Sequence, residues 1–558
     1  MIQPTPTESD LQNDHTSTPF YAIMDQCSWQ EGAKGKKMRM IRQVVLLISL
    51  ILPLLGRQTL IRSIGDKPAM LHPQNEVGSN WQNVMRDLFE PLMRLDNEGK
   101  VIPGQARSYT VDRNGTRYRF VLRNDIHWSD GTPVTAEDFV YSFHNALTHP
   151  DDHFDWFITQ LPIRNIALVR SGKAPFNTLG VRAIAPRQLE ILLDHPFPYL
   201  ISALSHLSTV PLPRHLADKP WPSPERIVGN GPYRVRNVKG NTVELEKNQY
   251  YYDKTQIHLD RIIYWNNDEE SQGYDRYRND RLDLLNEIPR NLYKTILREH
   301  PDEIHSFPIF GTFYLSLNMR QPPMDKLTVR KALGYAVDRQ KLAEQVMGSG
   351  EVPMYTFIPK GMSGYRDWQP DYQQWSQSRR EAEARTLLRS AGYTPEHPLT
   401  FHLLTNENER NKRAMLAVIS MWKEVFGASI HIRLDILPWD QYYAKRHTAP
   451  VVRSGWVADY DNPVSMFVVL SRKHMFNVSS YDDPRYDALL QRANRTVDPE
   501  ARSRMFRQLE EMILADWPII PLFQYAATRL VKPWVHGYPA RNPLDVIQSC
   551  YLKKGASR

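Results

Sequence analysis

Residues 128–142 read Trp128-Ser129-Asp130-Gly131-Thr132-Pro133-Val134-Thr135-Ala136-Glu137-Asp138-Phe139-Val140-Tyr141-Ser142, a segment long and specific enough to mark a fold. Asp130-Gly131 is a turn signal, because glycine takes positive φ at no steric cost. Thr135, followed three residues later by Asp138, has capping-box spacing, in which each residue's side chain satisfies the other's orphan amide. The helix that follows presents Phe139 and Tyr141 to a core. Val228-Gly229-Asn230-Gly231-Pro232-Tyr233 reads the same way, as a glycine turn entering a strand.

Working outward from these segments, Gln58–Arg62 reads as a first strand, and the apolar spacing Val84, Leu88, Leu92 predicts a helix over 83–95. Alternation over 116–123 predicts an antiparallel strand, and 180–193 predicts two more. Proline and glycine crowd residues 211–233, a crossing between units; strands follow at 233–247 and 258–265. An amphipathic helix is expected over 325–347, from Val329, Leu333, Val337 and Leu342, and a second over 378–391, stopped by Gly392. Strands at 399–404 and 429–437 flank a helix at 410–426, and the tail holds strands around 519–532. Strands and helices alternate too irregularly for one doubly wound sheet, so the class is α/β with mixed sheets.

The length of 558 residues calls for two or three globular units. A hydrophobic fraction of 41% excludes wholesale disorder, and a mean hydropathy of −0.52 excludes a polytopic membrane protein. The net charge of +8 is thin over such a chain and makes no nucleic-acid footprint. Two cysteines, Cys27 and Cys550, make neither a disulfide framework nor a Cys-based zinc site. The 13 tryptophans and 27 tyrosines suit a recognition cleft and equally a large core.

Residues 1–33 are polar and aperiodic. A basic run, Lys34–Arg42, then precedes twelve residues, Val44–Leu55, that are apolar except Ser49. Spanning a bilayer takes about twenty apolar residues, so the pattern is that of a secretory signal peptide, with the start at Met38 or Met40; Leu54-Leu55-Gly56 lacks the usual small residue at the outer cleavage position, and a non-cleaved anchor is the alternative. Removing residues 1–56 takes away five basic and five acidic residues and leaves the charge at +8.

HExxH, GxSxG and glycine-rich phosphate loops are absent, so the sequence offers no positive support for an enzyme, a cofactor or a metal site. Arg453-Ser454-Gly455-Trp456-Val457-Ala458-Asp459-Tyr460-Asp461-Asn462-Pro463 carries chemistry of another kind. Asp459 follows an apolar run, where a buried carboxylate needs a cation or several donors. A ligand ammonium is one such cation, and Arg446 or Arg453 could hold a ligand carboxylate with two parallel hydrogen bonds. An internal salt bridge is the alternative.

At these segments the chain resembles the periplasmic oligopeptide-binding proteins of bacterial ABC importers, the large three-lobed class of solute-binding protein. The match rests on residues 128–142, Val228–Tyr233, Ala336-Val337-Asp338-Arg339, Arg385–Tyr393, Gly455–Pro463 and Arg529–Trp534. Asp66–Pro73, Gly348–Pro353, Gly537-Tyr538-Pro539 and Asn542-Pro543 look closest to the murein-peptide-binding branch.

The resemblance implies a two-lobed binding-protein fold with an extra third domain: lobe I from 57–89, 213–310 and 527–558, domain II from 90–212, and lobe III from 311–526. It implies an exported, periplasmic monomer that takes a short peptide to an inner-membrane ABC permease and does no chemistry on it; a periplasmic peptidase or amidase, or a receptor docking on a membrane sensor, are the alternatives. Asp459 would meet the peptide's ammonium, and the backbone around Gly455 and Val457 would pair with the ligand as an added strand. Trp456, Trp439, Tyr314 and Tyr525 would wall the pockets, Arg446 and Arg453 would take carboxylates, and Glu76 would fall near the ligand. Lys and His common in the family stand here as Met347 and Asn411, which suits a ligand of fixed length with an extra carboxylate, such as a murein tripeptide. The usual cysteine pair is replaced by Gly311 and Val457.

Overall fold

Two long strands, Ile304–Leu317 and Ile519–Val531, pair antiparallel from Ile304 opposite Leu530 to Ser316 opposite Ile519 in the computed structural model, which describes residues 58–64, 71–75, 79–149, 154–266, 270–289 and 292–555. On one flank follow Val451–Val457, Leu399–Asn406 and Ile430–Leu437. On the other follow Leu284–Leu285, Thr59–Ile64, Arg261–Asn266, Thr242–Lys247 and Tyr233–Lys239; with Val352–Pro353 they make an eleven-stranded sheet. Thr59–Ile64 and Leu399–Asn406 run parallel to their neighbours and the remaining pairs are antiparallel, so the sheet is mixed. A separate antiparallel sheet holds Ala106–Val111, Arg117–Leu122, Gln188–Leu192 and Val181–Ala185.

The ladder between the long strands slips between Pro308 and Thr312. Proline has no amide to give a ladder, and the backbone groups freed there find other partners. The Phe310 amide donates to Pro543 O (2.6 Å), Phe310 O accepts the Ala458 amide (2.7 Å), and Gln524 Nε2 donates to Ile309 O (3.0 Å). Phe313, Leu315 and Leu317 beyond the slip enter one hydrophobic core, whereas Phe307 before it, Ile309 and Phe310 within it and Tyr314 beyond it enter another.

The marker segment folds as its residue types require. Gly131 takes φ +91°, Asp130 Oδ1 accepts the Thr132 amide (3.0 Å), and the helix Ala136–Thr148 starts with the Thr135 amide donating to Asp138 Oδ2 (2.7 Å). Asp138 also takes the Arg214 amide at 3.0 Å, tying the helix start to the 210–214 segment. Trp128 and Phe139 are fully buried, whereas Tyr141 is half-buried. At the second glycine turn, Asn230 clamps Glu90, accepting its amide (3.0 Å) and donating to its carbonyl (2.8 Å). A Cβ on Gly229 would meet Leu88 O at 2.1 Å, and one on Gly231 would meet Asp87 O at 2.6 Å, so both positions require glycine.

Two expected helices are shorter than their apolar spacing suggested. The first covers Ser79–Leu88, and Met93–Leu95 is a strand, because Pro91 disfavours helical backbone before it and the 229–231 turn takes over the helix end. The span 325–347 divides into Leu327–Tyr335 and a wider helical turn, Lys341–Met347. Asp338 Oδ1 caps the second piece by accepting the Lys341 amide (2.9 Å), while fully buried Arg339 donates to Gly334 O (2.9 Å) and Pro521 O (2.8 Å). The remaining expected strands and helices are present, with boundaries moved by up to three residues. The expected signal segment and Cys27 lie outside the described residues. Among the described residues no helix is long and apolar enough to cross a membrane.

Glu510, on the helix Pro499–Asp516, pins the segment that covers the long strands. It accepts the Phe357 amide and the Tyr365 hydroxyl (3.2 Å), while Phe357 O takes Thr312 Oγ1 at 2.8 Å. Burial pushes its carboxyl from 4.5 up to about 7. Between those values the native state keeps a proton that the unfolded chain has released, so this stabilisation declines as pH rises through the window and is flat above it. Relative to Glu510→Gln, the wild type should lose roughly 2–3 kcal/mol of stability between pH 4.5 and 7.5. Urea unfolding of both proteins at the two pH values measures this, and parallel pH profiles would refute it.

Candidate ligand-binding site

The strand Val451–Val457 pairs along its whole length with Ile304–Leu317, but touches Leu399–Asn406 only at Val451 and Val452. Its far edge is therefore open from Arg453 onward. Backbone direction alternates along a strand. The Ala458 amide points to the long strand, and Arg453 O points away from it, where it accepts the Tyr442 hydroxyl at 2.6 Å. Gly455 and Val457 share the outward direction of Arg453, and among the described residues their groups on that edge meet no partner.

Side chains alternate in the same way. Gly455 and Val457 face Tyr525: a Cβ on Gly455 would lie 2.1 Å from the Tyr525 hydroxyl, and one on Gly311 would lie 3.0 Å from its ring. Gly311 stands directly opposite Val457, and the valine Cγ2 fills the space between them. Arg453 lies over the Phe313 ring at 5.2 Å, with its buried Nε unpartnered. Trp456 takes the other face, its Nε1 donating to Ser465 O (2.8 Å) and its ring meeting Phe476 at 5.1 Å and Trp156 at 6.1 Å.

Beyond the strand end a cavity of about 90 Å³ is lined by Val457, Ala458, Asp459, Ile309, Arg86, His206, Asn83 and Asp545, among others. Asp459 is half-buried there, and its charge adds to the burial that pushes the Tyr460 hydroxyl up. The loop carrying it is fixed by Asp461, which accepts both the Ser363 amide (2.8 Å) and hydroxyl (2.6 Å).

At the opposite end Arg446, buried, lies 3.5 Å from the Tyr443 ring centroid and 4.9 Å from that of Phe476. Burial raises the hydroxyls of Tyr442 and Tyr314, and in both cases Arg453 and Arg446 oppose the rise, so the two guanidiniums and two phenols share one neighbourhood. The structure thus gathers Asp459 and Val457 at one end and Arg446, Arg453, Tyr314 and Tyr525 toward the other. Trp439 stays 55% exposed, against Tyr442 at 5.5 Å, and Glu76 lies outside the described residues.

Asn411 is used locally, its side chain donating to Asn406 Oδ1 (2.9 Å), and Met347 is buried in a core. Sequence reasoning missed Arg410 beside it, which pairs with buried Glu351 (3.0 Å) and lies 5.0 Å over the Tyr525 ring. It also missed Tyr442 and Arg86, neither of which carries a motif. Among the described residues no His, Cys, Asp or Glu cluster has a metal-ligating arrangement, and Cys550 is a buried free thiol.

A mixed sheet joined by two long strands, with an unpaired strand edge between an acidic and a basic end, is the architecture of a binding cleft. The chain belongs to the bacterial extracellular solute-binding proteins: the model for family 5 Middle matches residues 100–475. It is 34% identical over 500 residues to the periplasmic murein peptide-binding protein MppA of Escherichia coli, covering 88% of this chain and 92% of that one. It is also 34% identical over 497 residues to the periplasmic oligopeptide-binding protein OppA of the same organism, covering 88% and 91%. The solved structure of the E. coli murein tripeptide binding protein MppA superposes with a TM-score of 0.82 at 33% identity, covering 89% of this chain and 99% of that one. The fold is therefore that of the two-lobed periplasmic binding proteins.

Gly455→Ala would drive a methyl into the Tyr525 hydroxyl, a steric insertion costing about 1–3 kcal/mol. Adding Tyr525→Phe removes the clashing atom and should recover most of the loss. Chemical denaturation of the single and double variants decides it; equal destabilisation in both would show that the hydroxyl is not the obstacle.

Proposed function

We propose that this chain is an exported, periplasmic binding protein that captures short peptides and delivers them to an inner-membrane ABC permease, without chemistry on the ligand. The observation that carries this reading is the open ladder edge at Gly455 and Val457, beside Asp459. An extended peptide added there satisfies both its own backbone and the strand's. Asp459 takes the ligand ammonium, and Arg453, with Arg446 behind it, takes the carboxylate end. From Val457 to Arg453 the strand rises about 13 Å, a span suited to three or four extended residues. The names of the relatives, a murein peptide-binding and an oligopeptide-binding protein, support peptide as the ligand class.

In this reading 57–89, 213–310 and 527–558 form one lobe, 90–212 the extra domain and 311–526 the second lobe. Trp156 and Phe157 of the extra domain meet Trp456 at 6.1 Å and Tyr460 at 6.4 Å, so ligand capture and lobe closure draw on the same residues. A ligand that binds the closed arrangement better shifts the population toward it, and the permease reads the closed surface. The finer reading is a peptide of fixed short length with an additional carboxylate, such as a murein tripeptide.

Asp459→Ala should weaken tripeptide binding by on the order of 2–4 kcal/mol, the loss of a desolvated charge-assisted contact. Calorimetric titration of wild type and variant tests it, and unchanged affinity would sink the role given to Asp459.

A further inference from the structure

Arg86 differs from Arg529, Arg339 and Arg330, which are also buried. Arg529 is paired with Asp545 at 2.7 Å, and Arg339 and Arg330 each donate to several backbone carbonyls. Arg86 lines the small cavity beside Asp459 and is only 4% exposed. One of its five donors reaches Ser205 O at 3.0 Å, its buried Nε has no partner, and it makes no ion pair among the described residues. Burial alone pulls its pKa down to about 10, and no acidic neighbour offsets that.

Two further groups on this wall offer donors. His206 accepts the Ser208 amide at Nδ1 (3.2 Å), which leaves Nε2–H as its donor. Burial and the Arg86 charge hold that ring neutral, its pKa lowered to about 3. The Asn83 carbonyl oxygen is taken by the Ile547 amide (2.9 Å), which leaves its NH₂. Asp545, the second acid on the wall, pairs with Arg529 through Oδ2, and its buried Oδ1 is without a partner. A buried cation that makes no ion pair is costly unless an anion approaches it.

We infer that Arg86 is a specificity-determining residue of the site and receives a carboxylate carried by the first or second residue of the bound peptide. This rests on the peptide-binding reading above, since Asp459 on the same cavity places the ligand's amino end there. About 90 Å³ admits one short acidic side chain, not a bulky one. His206 Nε2–H and Asn83 Nδ2 stand beside Arg86 as further donors to that carboxylate. A neutral ligand would leave Arg86 buried and unpaired, and would place the ligand ammonium near an uncompensated cation.

The test uses two isosteric tripeptides, Ala-Glu-Ala and Ala-Gln-Ala, titrated into the wild type, Arg86→Gln and Arg86→Lys. The wild type should prefer the acidic peptide by about tenfold or more. Arg86→Gln should bring the two affinities within about threefold, and Arg86→Lys, which keeps the charge, should retain the sign of the preference. Equal affinity for both peptides in the wild type, or a preference that survives in Arg86→Gln, overturns the role of Arg86 and leaves the peptide-binding reading standing. Failure of the wild type to bind either peptide overturns both. If Arg86→Gln does not fold, the wild-type ratio and the lysine variant still decide the matter.

Discussion

The ladder between Ile304–Leu317 and Ile519–Val531, and the slip it makes after Pro308, is the constraint on which the rest depends. Each long strand contributes to more than one hydrophobic core, so one uninterrupted register would have to serve them all. Proline ends the first register, and the freed Phe310 backbone is bonded to Ala458 on one side and Pro543 on the other. Those two bonds bring the end of Val451–Val457 and the tail to the same point. The small cavity lies there, lined by Ile309, Val457, Asp459 and Asp545.

Which groups remain available for a ligand follows from what the fold has already satisfied. Leu399–Asn406 pairs with only the first two residues of Val451–Val457, so among the described residues the outward amides and carbonyls of Gly455 and Val457 are left without partners. Most buried charge is neutralised internally: Asp545 by Arg529, Glu351 by Arg410, and Asp138 by backbone amides. Buried ionic groups are tolerated when paired and costly when not. Among the described residues, Arg86 at the cavity and Arg453 over Phe313 are charges beside the open edge that make no ion pair.

The aromatic residues divide in the same manner. Trp128, Trp422 and Trp517 are fully buried and serve packing, whereas Trp156, Trp456 and Phe476 form a half-buried cluster beside the open edge. Composition alone left a cleft and a core equally open; the tertiary arrangement places aromatic residues both in the core and beside the open edge.

Much was legible in local sequence, because local chemistry controls it. The turn at Asp130-Gly131, the capping box at Thr135 and Asp138, the stop at Gly392 and the strand alternation at 117–122 all involve neighbours within a few residues. The helices expected over 83–95 and 325–347 show where that logic ends. Apolar spacing continued through both, but the Asn230 clamp and the contact of Arg339 with Pro521 come from residues roughly 140 and 180 positions away, and no periodicity encodes them. The site divides along the same line. Gly455, Val457 and Asp459 lie in one contiguous motif, so their proximity could be read from the chain. Arg86, Tyr442 and Arg410 come from separate helices or helix ends, and only folding brings their charges and hydroxyls to one strand. Short-range sterics and hydrogen bonding are written in sequence order, whereas desolvation and charge pairing depend on which distant residues share a space, and that is decided by the tertiary structure.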